Sequence, residues 1–182
     1  QIYCSQDLGS FYLDILKDRL YTTPPKSLAR RSAQTALWHI TQAMLRWMAP
    51  FLSFTAEEAW KLAGKSESIF METYSELPRP DGALLAKWSR IRELRDAVNK
   101  DIEALRADGK VGSSLQANVS LGVDAQDHAL LASLGDDLKF VFITSAISLE
   151  ASSEWQIRAT ATFDIKCERC WHYRTDVGHD PA

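Results

Sequence analysis

Two cysteines three residues apart, in Lys166-Cys-Glu-Arg-Cys-Trp-His-Tyr173, are the part of this 182-residue sequence best suited to chemistry. Thiolates at Cys167 and Cys170 can grip one zinc ion in a tight knuckle. A closed structural site needs four ligands, however, and no second Cys-x-x-Cys follows. The pair also reads as a redox dithiol, although the helix N-terminus in a βαβ setting that such a site favours is not evident. Arg169 and Trp171 would place a cation and a flat π surface on the knuckle, a pairing suited to a phosphate and an unstacked base. The plainer alternative packs Trp171 on the adjoining strand. His172 stands too near Cys170 to complete the same tetrahedron without strain, and His179 follows Gly178 in a tail that is costly to order. The segment after about Lys166 is therefore expected to be disordered or metal-free.

Elsewhere the residues offer little catalytic chemistry. There is no P-loop, no glycine-rich fingerprint after a strand and no His-Glu-x-x-His. His39 lies beside Trp38 in a helical stretch and reads as structural, and the carboxylates are spread over solvated faces. Cys4, between Tyr3 and Ser5, reads as a small buried hydrophobe. No apolar run approaches the ~20 residues of a membrane span. A net charge of −3 argues against indiscriminate nucleic-acid binding, DNA included. The charge is uneven: residues 1–50 hold six Lys/Arg against three Asp/Glu, whereas 114–165 hold two against seven. A polyanion would therefore be met by selected faces, with Arg30, Arg31, Arg46 and the basic 83–113 stretch as the helical candidates and the 114–165 span excluded.

The elements that must position these residues begin with a stretch over 26–60. Ala29, Ala33, Ala36, Ile40, Ala43 and Trp47 recur at steps of four and three, which predicts a long amphipathic helix ending near Ala49, before Pro50. Gln42 falls outside that seam. Thr55-Ala-Glu-Glu58 has the form of a capping box and predicts the start of a second helix. Helical periodicity also covers 5–21 and 83–107, the latter stopped by Gly109. The expected helical core includes Ile40, Trp47, Trp60, Trp88 and Ile91. From Val111 the period shifts toward 2. Strands are expected through Val119–Leu121–Val123, through Phe140-Val-Phe-Ile143 and on to Leu149, and over 155–165, with a short helix over 126–134. Together these make a small, antiparallel, acidic module. The fold class is mainly α, an antiparallel helical bundle (1–109) followed by a small α+β module (110–165) and a partial zinc-knuckle tail (166–182).

Several segments resemble the C-terminal part of bacterial-type isoleucyl-tRNA synthetases, class I enzymes, over essentially the whole length. They are Asp7-Leu-Gly-Ser-Phe-Tyr-Leu-Asp14, Lys17-Asp-Arg19, Arg30-Arg-Ser-Ala-Gln-Thr-Ala36, Arg46-Trp-Met-Ala-Pro50, Ser53-Phe-Thr-Ala-Glu-Glu58, Lys110-Val-Gly-Ser-Ser-Leu115 and the cysteine knuckle. The hairpin theme is similar to valyl, leucyl and methionyl relatives as well; the last two segments single out the isoleucyl enzyme. The resemblance implies an anticodon-binding region whose Arg169 and Trp171 contact tRNA(Ile), with the rest of the synthetase polypeptide as its other partner, in the cytoplasm. It implies zinc held by four cysteines in the intact parent, of which Cys167 and Cys170 are half. It also implies that ATP is used only by a catalytic domain not contained in this piece, so that the piece itself catalyses nothing. Gln1 in place of Met, and an end soon after the cysteines, suggest a chain cut from something longer. The rival reading is a helical protein-interaction module with a redox or metal-sensing Cys-x-x-Cys.

Overall fold

A computed structural model describes residues 2–179. They form two compact units: one is continuous, Arg19–Pro80, and the other joins the residues up to Asp18 to those from Asp81 onward. Overall the chain is mainly helical with a small α+β module, as its periodicities predict.

The discontinuous unit opens with Tyr3–Leu13 wound as a π-helix, followed by a turn and α1 (Lys17–Tyr21), where a single regular helix is expected. Gly9 permits the wide turn, because a Cβ there would stand 3.1 Å from the Cys4 carbonyl oxygen. Cys4 is exposed, which corrects its assignment to a core. The Arg92 guanidinium bonds Asp7 at 2.5 Å, while Phe11 meets Trp88 edge to face.

The continuous unit is a helical hairpin. Helix α2 (Leu28–Met48) starts where Ser27 accepts the Arg30 N–H at 3.3 Å. Helix α3 is Ser53–Leu62 and begins two residues before Thr55, so Thr55 lies inside the first turn and the expected capping box does not form. Ser53 instead donates its hydroxyl to the Ala49 carbonyl. Leu45, Ala49, Ala56, Trp60 and Ile69 make the core, with Met48 and Ala59 against it. Trp47 is 45% exposed and does not belong to that core. The buried stripe at this end of α2 runs through Gln42, Leu45 and Ala49, about 160° from Trp47 at 100° per residue. Ile40 is half-buried, and Gln42 is buried, both departures from the seam read in the sequence.

In the discontinuous unit, α4 (Gly82–Ala107) is capped by Asp81, whose Oδ1 accepts the Ala83 and Leu84 N–H groups at 2.9 and 3.1 Å. It ends at Gly109, φ +69°, where the Lys110 N–H returns to the Leu105 carbonyl. Ile91, Leu94, Val98 and Ile102 pack with Val119, Leu121, Leu131 and Phe142 in one core, with Trp88 partly buried at its margin. Strand β1 (Ala117–Val123) is central, parallel to β2 (Ala146–Ala151) and antiparallel to β3 (Gln156–Ala161). The expected all-antiparallel arrangement is thus corrected. Its cause lies at Phe140-Val-Phe-Ile143, which is not a strand: α5 (Ala125–Ala132) and α6 (Leu138–Phe142) occupy the crossover. Leu138, Val141 and Phe142 are buried at helical spacing, and with no strand to reverse direction, β2 returns parallel to β1. The run expected over 155–165 also breaks: Thr162 bonds Gln116 through its N–H, and Phe163 is 99% exposed.

Candidate functional site

Past Phe163 the chain folds into a two-stranded hairpin, β4 (Ile165–Lys166) against β5 (Tyr173–Arg174), with the cysteine knuckle as its loop. The Cys167 N–H donates to the His172 carbonyl at 2.9 Å, and the Trp171 N–H donates to the Cys167 carbonyl at 2.8 Å. Trp171 lies in the left-handed region at φ +65°. Through His179 this segment is a hydrogen-bonded hairpin and turn, which corrects the expectation of disorder after Lys166. The part of the tail beyond His179 lies outside the described residues.

The two thiols differ in environment. Amide N–H groups of Cys170 and Arg169 point at the Cys167 sulfur and hold its thiol below the ordinary value, with the Cys170 thiol contributing. Burial pushes the Cys170 thiol up. A sulfur receiving backbone N–H bonds at the mouth of a tight turn suits a soft cation, and Cys167 and Cys170 fit two corners of a tetrahedral zinc site. Among the described residues no group of three or more His, Cys, Asp or Glu comes together to complete one. His172 is engaged elsewhere: its Nε2 stands 3.2 Å from Asp18 Oδ2. His179 is exposed.

The knuckle sets one cation over an open aromatic face and carries others along its loop and strand. Trp171 is 61% exposed, and the Lys166 ammonium lies 5.6 Å from its ring centroid. Trp171 is thus not packed away on the adjoining strand. Arg169 is exposed on the same loop, and Arg174, ion-paired with Asp176, flanks it on β5. Sequence reasoning identified Arg169 and Trp171 but missed Lys166, whose place over the ring follows only once the hairpin is closed.

In the continuous unit, Arg30 and Arg31 are neighbours in the first turn of α2. Arg31 is exposed, and Arg30 is half-buried with its guanidinium on the Thr23 carbonyl at 3.2 Å. Arg46 is employed within the fold: it bonds Glu72 at 2.6 Å and the Gln42 carbonyl at 3.0 Å and lies 4.6 Å over the Trp60 ring. It also lines a shallow cavity of about 390 Å³ with Pro50, Ile69, Phe70 and Tyr74. His39 is exposed, edge-on to Trp38, and contributes nothing to a core. No helix of the described residues is long and apolar enough to cross a membrane.

Two family models match the chain: the anticodon-binding domain of tRNA ligase over residues 1–121, and the zinc finger found in FPG and IleRS over residues 164–182. Among curated relatives, the isoleucine–tRNA ligase of Ralstonia pickettii (strain 12J) is 60% identical, across 100% of this chain and 20% of that protein. That of Cupriavidus taiwanensis is 54% identical over the same shares. The isoleucine–tRNA ligase of Azoarcus sp. (strain BH72) is 54% identical over 99% of this chain and 20% of its own. The chain thus spans about a fifth of the length of the relatives it matches.

Proposed function

Because the chain belongs to the family of anticodon-binding domains of tRNA ligases, we propose that it is the anticodon-arm binding region of an isoleucine–tRNA ligase. In this reading it orients tRNA(Ile) toward a catalytic domain located elsewhere in a longer, cytoplasmic synthetase polypeptide, the only part that uses ATP. The observation that carries the reading is the succession, in one chain, of an anticodon-binding match and a zinc-finger match whose knuckle presents a cation-flanked, open indole.

The mechanism is positional. Binding energy gained at the anticodon arm fixes the tRNA body, so the acceptor end reaches the distant active site without a further search. Trp171 supplies a stacking surface for an unpaired base, and Arg169 supplies charge for the adjoining phosphate. Arg30 and Arg31 give α2 a cationic end for backbone phosphates; Arg46 joins them only by releasing Glu72. Cys167 and Cys170 would hold zinc together with two further ligands from the longer polypeptide. Bound there, the metal supplies rigidity and no reaction step.

Binding of labelled tRNA(Ile) followed by fluorescence anisotropy tests this reading. Trp171→Ala is expected to weaken binding by about 5–150-fold, the range of ~1–3 kcal/mol per stacked base. Charge reversal at Arg30 and Arg31 should flatten the dependence of log K on log salt. Unchanged affinity in both variants would sink the proposal. The chain alone should not support isoleucine-dependent exchange of pyrophosphate into ATP. The rival reading, an interaction module with a sensing dithiol, draws on the exposed apolar tip formed by Phe51, Leu52 and Phe54. It would be favoured by RNA-independent capture of one protein, abolished by oxidation of the cysteines.

A further inference from the structure

The knuckle hairpin is fastened to its unit at two points, and neither uses a cysteine side chain. The first is the imidazole of His172, which is 4% exposed, edge-on to Phe140 at 5.4 Å, with Nε2 3.2 Å from Asp18 Oδ2. A ring carrying its proton on Nε2 donates to that carboxylate. Nδ1, buried without a partner, is then a bare lone pair. The second point is one residue on: the Tyr173 N–H donates to Ser145 Oγ at 2.6 Å, and that hydroxyl donates to the Leu115 carbonyl at 2.5 Å.

A hairpin of two residue pairs does not hold itself in water. These anchors orient it on the rest of its unit. Trp171 directly precedes His172, and the Trp171 N–H and Cys167 N–H close the loop between them. With His172 fixed, the left-handed backbone of Trp171 fixes the direction of its Cα–Cβ bond, so the anchor sets the side of the hairpin from which the exposed indole projects.

We propose that Asp18 and His172 are positioning residues for RNA recognition: their pairing seats the knuckle and thereby sets the aim of Trp171 and Arg169. The inference rests on the reading of the knuckle as an RNA contact. Neither Asp18 nor His172 touches the RNA. They act through Trp171, and this distinguishes them from residues that merely stabilise the fold.

The test is a double-mutant cycle on the full chain with tRNA(Ile), read by anisotropy. Asp18→Ala should weaken binding about tenfold, and Asp18→Asn, which keeps an acceptor oxygen for the imidazole, should restore most of the loss. In a Trp171→Ala background, Asp18→Ala should cost less than about threefold, because the residue through which it acts is gone. Hydrogen exchange over residues 165–174 should quicken in Asp18→Ala and stay near the parent rate in Asp18→Asn, which also covers the case in which the alanine variant folds poorly. Parent-like binding by Asp18→Ala, or losses that add fully with Trp171→Ala, would overturn the assignment. Parent-like binding by Trp171→Ala would instead remove the RNA reading and this assignment with it; that failure is recognisable because the exchange data would still report whether Asp18 holds the hairpin.

Discussion

Trp60 is the residue on which the helical hairpin closes. Its indole is fully enclosed, donates from Nε1 to the Glu67 carbonyl at 3.1 Å, and lies between the Arg46 and Lys65 cations at 4.6 and 5.1 Å. Trp60→Ala should cost about 3–5 kcal/mol in urea unfolding, and Trp47→Ala, on a half-exposed ring, below about 1 kcal/mol. Equal losses would contradict the burial. Beside Trp60, the Glu57 carboxylate accepts the Ile69 N–H at 2.9 Å and the Ser68 hydroxyl at 3.0 Å and pairs with Lys61. These partners, the Ile69 amide foremost, hold its pKa below the ordinary 4.5. A lowered folded-state value means that the contribution to stability is present above pH ~4.5 and is lost as pH falls through the folded value. Glu57→Gln should therefore lower the unfolding midpoint at pH 7, with the gap to the parent closing under acid; a pH-independent gap would refute it. Of these residues the sequence marked Trp60 as core by its period. It could not separate Trp60 from Trp47, because a seam of small residues fixes the phase of α2 poorly, and Trp47 falls about 160° from the buried stripe.

Among the elements, α4 was legible almost to the residue from its strict apolar spacing and its glycine stop; its cap, Asp81, was not read from the sequence. Asp81→Ala should cost about 1 kcal/mol, since two N–H groups lose their acceptor. A change within ~0.2 kcal/mol would mean that water replaces the cap at no cost. Helix α6 was not legible. Four apolar residues in a row fit a strand or a buried helical turn equally, and only the burial of Leu138 together with Val141 and Phe142 decides between them. That one ambiguity propagated, because a strand removed from the crossover reverses the direction of the next and makes the sheet mixed. The knuckle hairpin was not legible either, because counting metal ligands says nothing of the main-chain bonds and the Asp18 and Ser145 anchors that fasten it.

At the scale of the molecule, charge and metal are the readable properties. Reversing the acidic residues Asp136 and Asp137 should leave tRNA affinity within about twofold, while Lys166→Glu, beside the open indole, should weaken it more than any single change in the 114–165 span. Cobalt(II) titration should give thiolate-to-metal absorption that is halved by Cys170→Ser and abolished by Cys167→Ser with Cys170→Ser; absorption surviving in the double variant would show that other sulfur or imidazole groups bind. The family resemblance was carried by local segments and so could be read from sequence. The pairing of Asp18 with His172 spans 154 residues, and no local pattern announces it. That span also orders events in time. At ~5–20 residues/s of synthesis, roughly 8–30 s separate the appearance of Asp18 from that of its imidazole partner. The unit Arg19–Pro80 is uninterrupted in sequence and has everything it needs long before then. The unit on either side of it waits, with its first helix already made and its last fastening still in the message.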